Sequence, residues 1–249
     1  MITGSDRYKL RSYNLKSNGF DEHAEKYDAW FMDNRNVLES ELALLAHFLK
    51  DTGRTLSVGC GSGLFEMLLR QEYDIEITDG IEPSESMAEI AGKRGMKVLV
   101  ESAEKTSFND ESWDTLIYNG TPGYIKDLES AFMEACRILV PGGTLLVLDV
   151  PKESSYGMLY NLAVAVGTWD HPKLDGVKPM MPYPIEFAAA ANWRTTAEKV
   201  ELLKRTGFTD FHYAQTLTRH PLFSNDSVET PVEGYDRGDY VAIQARKNK

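Results

Sequence analysis

Two cysteines, Cys60 and Cys136, are all that 249 residues hold, too few for a disulfide framework or a cysteine-built metal cluster. No metal is expected. No run of 18 apolar residues occurs, so no membrane span is expected. A basic leader with an apolar core is missing at the start, and the expected location is the cytoplasm. Positive charge is in deficit: 27 Lys and Arg stand against 38 Asp and Glu, a net charge of −11. That balance argues against nucleic acid as a partner, because general binding to phosphates needs a basic face. Internal repeats and low-complexity tracts are lacking as well. What remains is a 42% hydrophobic chain of a length that suits one α/β domain with a modest insertion.

The chain is organised around Thr55-Leu56-Ser57-Val58-Gly59-Cys60-Gly61-Ser62-Gly63-Leu64-Phe65-Glu66. A short apolar run leads into three glycines at alternate positions, and a helix-compatible segment follows at once. This is a strand, a tight turn and a helix N-terminus. The glycines let a ligand approach the backbone, and the first free N–H groups of the helix point at it. Glu82 follows 23 residues after Gly59, at the end of the apolar run Ile75 to Ile81. An acid at that place accepts hydrogen bonds from both hydroxyls of a ribose. A tight strand–helix turn with no ligand is the competing reading. Leu64 stands where a dinucleotide fingerprint has its third glycine, and no Lys-Ser or Lys-Thr closes the loop, which excludes a triphosphate P-loop. An adenosine compound without a pyrophosphate fits best.

Val58-Gly59-Cys60-Gly61-Ser62-Gly63 resembles the first motif of class I S-adenosylmethionine-dependent methyltransferases. Gly80-Ile81-Glu82-Pro83-Ser84-Glu85-Ser86-Met87 resembles their second motif. Ser102-Ala103-Glu104 through Phe108 to Asp114 resembles the third region, and Leu139-Val140-Pro141-Gly142-Gly143-Thr144-Leu145 the approach to the fifth strand. The likeness is closest to the small-molecule branch typified by ubiquinone and menaquinone biosynthesis enzymes, and it is good over residues 20–150. It implies a doubly wound, Rossmann-like sheet of seven strands, mostly parallel with an antiparallel last strand and helices on both faces. It implies S-adenosylmethionine as cofactor, S-adenosylhomocysteine as product and a small-molecule methyl acceptor. The cofactor residues it implies are Gly59, Cys60, Gly61, Gly63, Glu82, Pro83, Ser102, Ala103 and Asn119. Two positions depart from the family pattern. Ser57 stands two residues before the first glycine where an acid is common, and Ser102 replaces the Asp that receives the adenine amino group. Each change removes a charge-assisted hydrogen bond. These losses keep open a second reading, a catalytically silent module that binds the cofactor or its product as a sensor or partner subunit.

One domain over 1–249 is expected, in five segments. Residues 1–19 read as a mobile arm, with a lid or a homodimer arm as the alternative. In 20–52, Phe20, Ala24, Tyr27 and Phe31 recur at helical spacing, a stripe that packs in the core or, by resemblance, covers the cofactor; a second helix runs over 37–51. Residues 53–150 form the cofactor-binding core, with strands at 55–59, 75–81, 96–100, 114–119 and 143–150 and helices at 63–72, 84–94 and 126–138. Residues 151–193 leave this alternation and read as an insertion over the acceptor side. In 194–249, Thr195 and Glu198 signal a capping box and Gly207 a stop for the last helix, followed by antiparallel strands at 210–217 and 239–246. The loop Pro221 to Gly238 is long, which favours a functional or partner-contacting role.

Methyl transfer from a sulfonium asks the protein mainly for alignment and exclusion of water. A general base is required only where the acceptor is still protonated. Tyr27, Tyr124, Asp170 and His171 are candidates by position, none of them by motif. The stretch Asn119-Gly120-Thr121-Pro122 lacks the Asn-Pro-Pro-Tyr signature of amino and nucleobase N-methyltransferases.

Overall fold

The computed structural model describes residues 18–249, with side chains from Lys26 onward. Residues 1–17 of the expected arm, and the Phe20 and Ala24 side chains of the first aromatic stripe, lie outside the described residues, and the last two residues of that arm belong to the first helix. The chain opens with α1 (Asn18–Asp33) and α2 (Arg35–Phe48). The alternating core follows: β1 (Thr55–Val58), α3 (Leu64–Tyr73), β2 (Asp79–Ile81), α4 (Glu85–Lys93), β3 (Lys97–Leu99), β4 (Trp113–Asn119), α5 (Leu128–Ile138) and β5 (Leu139–Asp149). Parallel pairing joins β3, β2, β1, β4 and β5 in that spatial order. The order reverses between β1 and β4, so the crevice at the carboxyl ends of these two strands is the place where such sheets bind ligands.

Helices cover both faces, which is why the central strands are apolar on alternate residues in both directions. Ile117, Leu146 and Leu148 pack with α2 and α3 on one face. Leu116, Tyr118, Leu145 and Val147 pack with Phe132 of α5 on the other. The sheet ends antiparallel, with β8 (Tyr240–Lys247) beside β5 and β6 (Phe208–Thr216) beside β8. The capping box expected at Thr195 and Glu198 opens α8 (Thr196–Arg205).

Three details differ from the expectation. The sheet has eight strands rather than seven, because β7 (Val232–Glu233), within the long 221–238 loop, pairs with Ala214 and Gln215. The second strand keeps only Asp79–Ile81 of the apolar run, since Asp74 turns with φ +56° and the Ile75 N–H still donates to Leu69 O at 3.2 Å. The segment after β5 is helical, with α6 (Ser155–Val166) and α7 (Ile185–Ala190). Ser154 caps α6 by accepting from the Gly157 N–H, and Gly167 ends it with φ +80°, a residue pair that marks both ends of a helix. The 221–238 loop is tied to α2: Asn225 Oδ1 accepts from the N–H groups of Asn36 and Val37 at 3.0 and 3.3 Å. It thereby caps a helix whose own N-cap, Asn34, makes no side-chain cap.

Candidate active site

The turn after β1 carries positive φ at Gly59, Gly61 and Gly63, but the three glycines are needed for different reasons. A Cβ on Gly59 would lie 2.5 Å from Thr121 Cγ2, and one on Gly63 would lie 2.8 Å from Met96 Sδ. These two glycines admit neighbouring protein. A Cβ on Gly61 would meet nothing within 4 Å, so that position opens onto space. The space is a cavity of about 280 Å³, lined by Gly59, Gly61, Glu82, Pro83, Ser102, Ala103 and Asn119 among others. Of the cofactor residues expected from sequence, these seven share one wall. Cys60 faces a smaller adjoining recess, and burial holds its thiol well above the usual range. Gly63 lines neither and caps α3.

Glu82 is buried at the end of β2, with 7% of its surface exposed. Its Oε2 accepts from the Gly61 N–H at 2.9 Å and its Oε1 from the Ser84 N–H at 2.9 Å. The carboxylate is therefore held in place beside the glycine turn, at the edge of the cavity.

Ser57, which stands where an acid was expected, donates to Glu66 Oε1 at 2.6 Å. Glu66 sits in the first turn of α3 and is 5% exposed, and its Oε2 has no hydrogen-bond partner among the described residues. Burial raises its pKa, opposed by the Ser57 hydroxyl. The recess beside the glycine turn is lined by Ser57, Gly61, Glu66 and Asn119, so the carboxylate absent at position 57 is present a short reach away. Sequence reasoning missed Glu66. Its signal was a glutamate between Phe65 and Leu69 on the buried face of a helix.

α1 lies over the turn and is clamped to it. Asp28 accepts from Ser62 Oγ at 2.6 Å and from Arg94 Nη2 at 2.6 Å, while Arg94 Nη1 donates to Ser62 O at 2.8 Å. The clamp puts Tyr27 at the junction of three spaces: the large cavity, the recess at Glu66, and an aromatic cavity of about 60 Å³ behind them. Gly120 and Tyr124 are also common to the large and the aromatic cavity. The segment after β5 supplies Val150, Tyr160, Tyr183 and Trp193 to the aromatic walls, and Glu41 and Asp149 bring carboxyl groups to them. Tyr124 Oη lies 3.0 Å from Tyr183 Oη, and burial raises the Tyr124 hydroxyl above the ordinary tyrosine range.

Two of the four candidate bases lie elsewhere. Asp170 is exposed and pairs with Lys178 at 2.9 Å, and His171 Nδ1 accepts from the Lys173 N–H at 3.2 Å. Both serve a surface turn and line none of the three spaces. Their neighbour Trp169 points inward instead, its ring centroid 5.9 Å from that of Tyr160.

Comparison with known proteins agrees with this geometry. Residues 56–147 match the methyltransferase domain family Methyltransf_11. An uncharacterized protein of Methanocaldococcus jannaschii is 32% identical over 92% of this chain and 99% of its own length. The crystal structure of a SAM-dependent methyltransferase of Thermotoga maritima, named a possible histamine N-methyltransferase, is 34% identical with a TM-score of 0.78, covering 92% of this chain and 98% of that one. Malonyl-[acyl-carrier protein] O-methyltransferase of Methylococcus capsulatus is 32% identical over 51% of this chain and 48% of its own.

Proposed function

Because the chain belongs to the S-adenosylmethionine-dependent methyltransferases, we propose that it methylates a small molecule seated in the aromatic cavity behind Tyr27. The observation that carries this reading is the shared wall. Tyr27, Gly120 and Tyr124 border both the large cavity and the aromatic one, so a donor in the first and an acceptor in the second meet across them.

The residues fit the cofactor. Gly61 leaves open space at the turn, Glu82 presents two fixed oxygens suited to a ribose diol, and Ser102 and Ala103, which line the same cavity, would meet the adenine edge. Glu66 suits the amino group of the cofactor's methionine end, because an ammonium supplies the partner its buried Oε2 lacks. Once bound, the cofactor supplies a methyl on a reactive sulfonium. The chain's own residues then align it and keep water out: the Asp28 clamp holds Tyr27 over the junction, and Phe31, Phe65 and Tyr183 close the space behind it.

Calorimetric titration with S-adenosylhomocysteine, followed by incubation with S-adenosylmethionine and a small-molecule panel read by mass, tests the reading. Binding and a methylated product are expected; no binding of either cofactor form would overturn it. Glu82→Ala should weaken S-adenosylhomocysteine roughly tenfold to a hundredfold, the loss of charge-assisted hydrogen bonds worth about 1.5–3 kcal/mol. Unchanged affinity would remove Glu82 from the site. Glu66→Gln should weaken the same ligand about tenfold while the protein melts no earlier, since a buried carboxylate with one unpaired oxygen is replaced by a neutral isostere. A lower melting temperature with intact affinity would make Glu66 a purely structural partner of Ser57.

A further inference from the structure

The aromatic cavity contains a carboxyl group that the reading so far leaves unused. Glu41 of α2 lines it with 6% of its surface exposed, and no hydrogen bond or ion pair reaches it among the described residues. Its neighbour in the wall, Asp149, already has partners on both oxygens, accepting from the Val150 N–H at 2.9 Å and from the buried Lys199 Nζ at 3.3 Å. The remaining walls are rings in mutual contact, with Trp30 and Tyr183 centroids 5.0 Å apart and those of Tyr160 and Trp193 5.2 Å apart. Their polar ends are already tied outward: Trp30 Nε1 donates to Met181 O and Trp193 Nε1 to Ala188 O, both at 3.1 Å. The indole groups are thus committed elsewhere, and the cavity offers rings, tyrosine hydroxyls and carboxyl oxygens.

We propose that the acceptor is an aliphatic primary or secondary amine, whose ammonium head enters this cavity, pairs with Glu41 and is walled by the aromatic rings. The inference deepens the methyltransferase reading and rests on it. An anionic acceptor would face two carboxyl groups, of which Lys199 neutralises one. A neutral, apolar acceptor would leave the Glu41 carboxyl buried without a partner, which costs free energy. An ammonium satisfies Glu41 and gains from aromatic walls. A space of about 60 Å³ suits a small head, the rest of the molecule extending toward Tyr27.

The same carboxylate serves the chemistry. In the empty cavity burial and the nearby Asp149 lift the Glu41 pKa to about 8, so near neutral pH it rests protonated there. An entering ammonium favours its ionised form, and the carboxylate so paired, shielded from water, accepts a proton from that ammonium. Besides Asp149 and its partner Lys199, the titratable groups around it are the hydroxyls of Tyr27, Tyr156, Tyr160 and Tyr240. The nitrogen gives one proton to Glu41 and its freed lone pair forms the N–C bond, while the methyl–sulfur bond breaks with its electron pair going to sulfur. The products are the N-methylated ammonium, S-adenosylhomocysteine and protonated Glu41.

Phenethylamine, phenethyl alcohol and 3-phenylpropionate share a ring and differ in head charge. Titrated into the protein saturated with S-adenosylhomocysteine, the amine should bind about tenfold or more tightly than the alcohol, and the carboxylate should not bind. Glu41→Gln should erase the preference for the amine, and S-adenosylmethionine should methylate the amine but not the alcohol. Equal affinities for amine and alcohol in the wild type would overturn the inference while leaving the methyltransferase reading intact. Failure of S-adenosylhomocysteine to bind would overturn both. Should Glu41→Gln not fold, Trp30→Leu gives the second check: it should weaken the amine more than the alcohol, and equal weakening of both would count against the inference.

Discussion

Replacing Gly61 by valine is expected to abolish binding of S-adenosylhomocysteine in a protein that still folds. The backbone at Gly61 has φ +55°, so any side chain there carries a strain of about 1–2 kcal/mol. Beyond that strain the protein offers no resistance, because a Cβ meets nothing within 4 Å. The obstacle created by the valine methyls falls wholly in the cavity where the ligand would pass. Gly63→Ala supplies the contrast: its Cβ would press on Met96 Sδ at 2.8 Å and on Ala91 Cβ at 3.1 Å, so stability should fall first. Calorimetry and thermal melts of the two variants separate the roles. A folded Gly61→Val that binds normally would rule out passage of the ligand over this turn.

The difference between these two glycines marks where the sequence could be read and where it could not. The strand, the glycine turn and Glu82 form a local pattern, and so do the capping box at Thr195 and Glu198 and the alternation through β5. Each needs only residues within a few positions or one strand–helix unit. What escaped reading depends on contacts between distant segments. Asp28 meets Arg94 across 66 residues, and Asn225 caps α2 across 189. Neither pairing leaves a trace in local spacing. β7 exists because two residues of a long loop find the edge of β6, and β2 is short because a left-handed turn at Asp74 uses up the start of its apolar run. Asp170 and His171 attracted notice as chemistry-bearing residue types in a plausible segment, yet the inward-facing groups of that segment are Tyr160, Tyr183 and Trp193. Glu41 and Glu66 were visible only as carboxylates on apolar helix faces. Glu41 stands three residues after Leu38 and four before Leu45, both buried, and that placement is the signal that was open to reading.

Glu41 should also govern how stability depends on pH. Its folded-state pKa is about 8 against an ordinary value of 4.5, with burial the larger cause and Asp149 the second. Below about pH 4 the carboxyl is protonated in folded and unfolded chains alike, and it contributes no slope. Between those values the folded protein keeps a proton that the unfolded chain has released, so stability falls as pH rises, by a total on the order of 5 kcal/mol. Above pH 8 the loss is complete and the curve is flat. Asp239, raised to about 7 by burial, adds a fall in the same direction that ends sooner. In Glu41→Gln the first contribution disappears and the second remains. The variant's amide, buried without a sure partner, costs roughly 1–2 kcal/mol at every pH, so the difference across pH is the quantity to follow rather than the value at one pH. Urea denaturation at pH 5 and at pH 8 should show the variant gaining about 3–4 kcal/mol on the wild type between the two. Parallel stability curves for the two proteins would mean that Glu41 is already ionised in the folded state at pH 5, held by a cationic partner of its own.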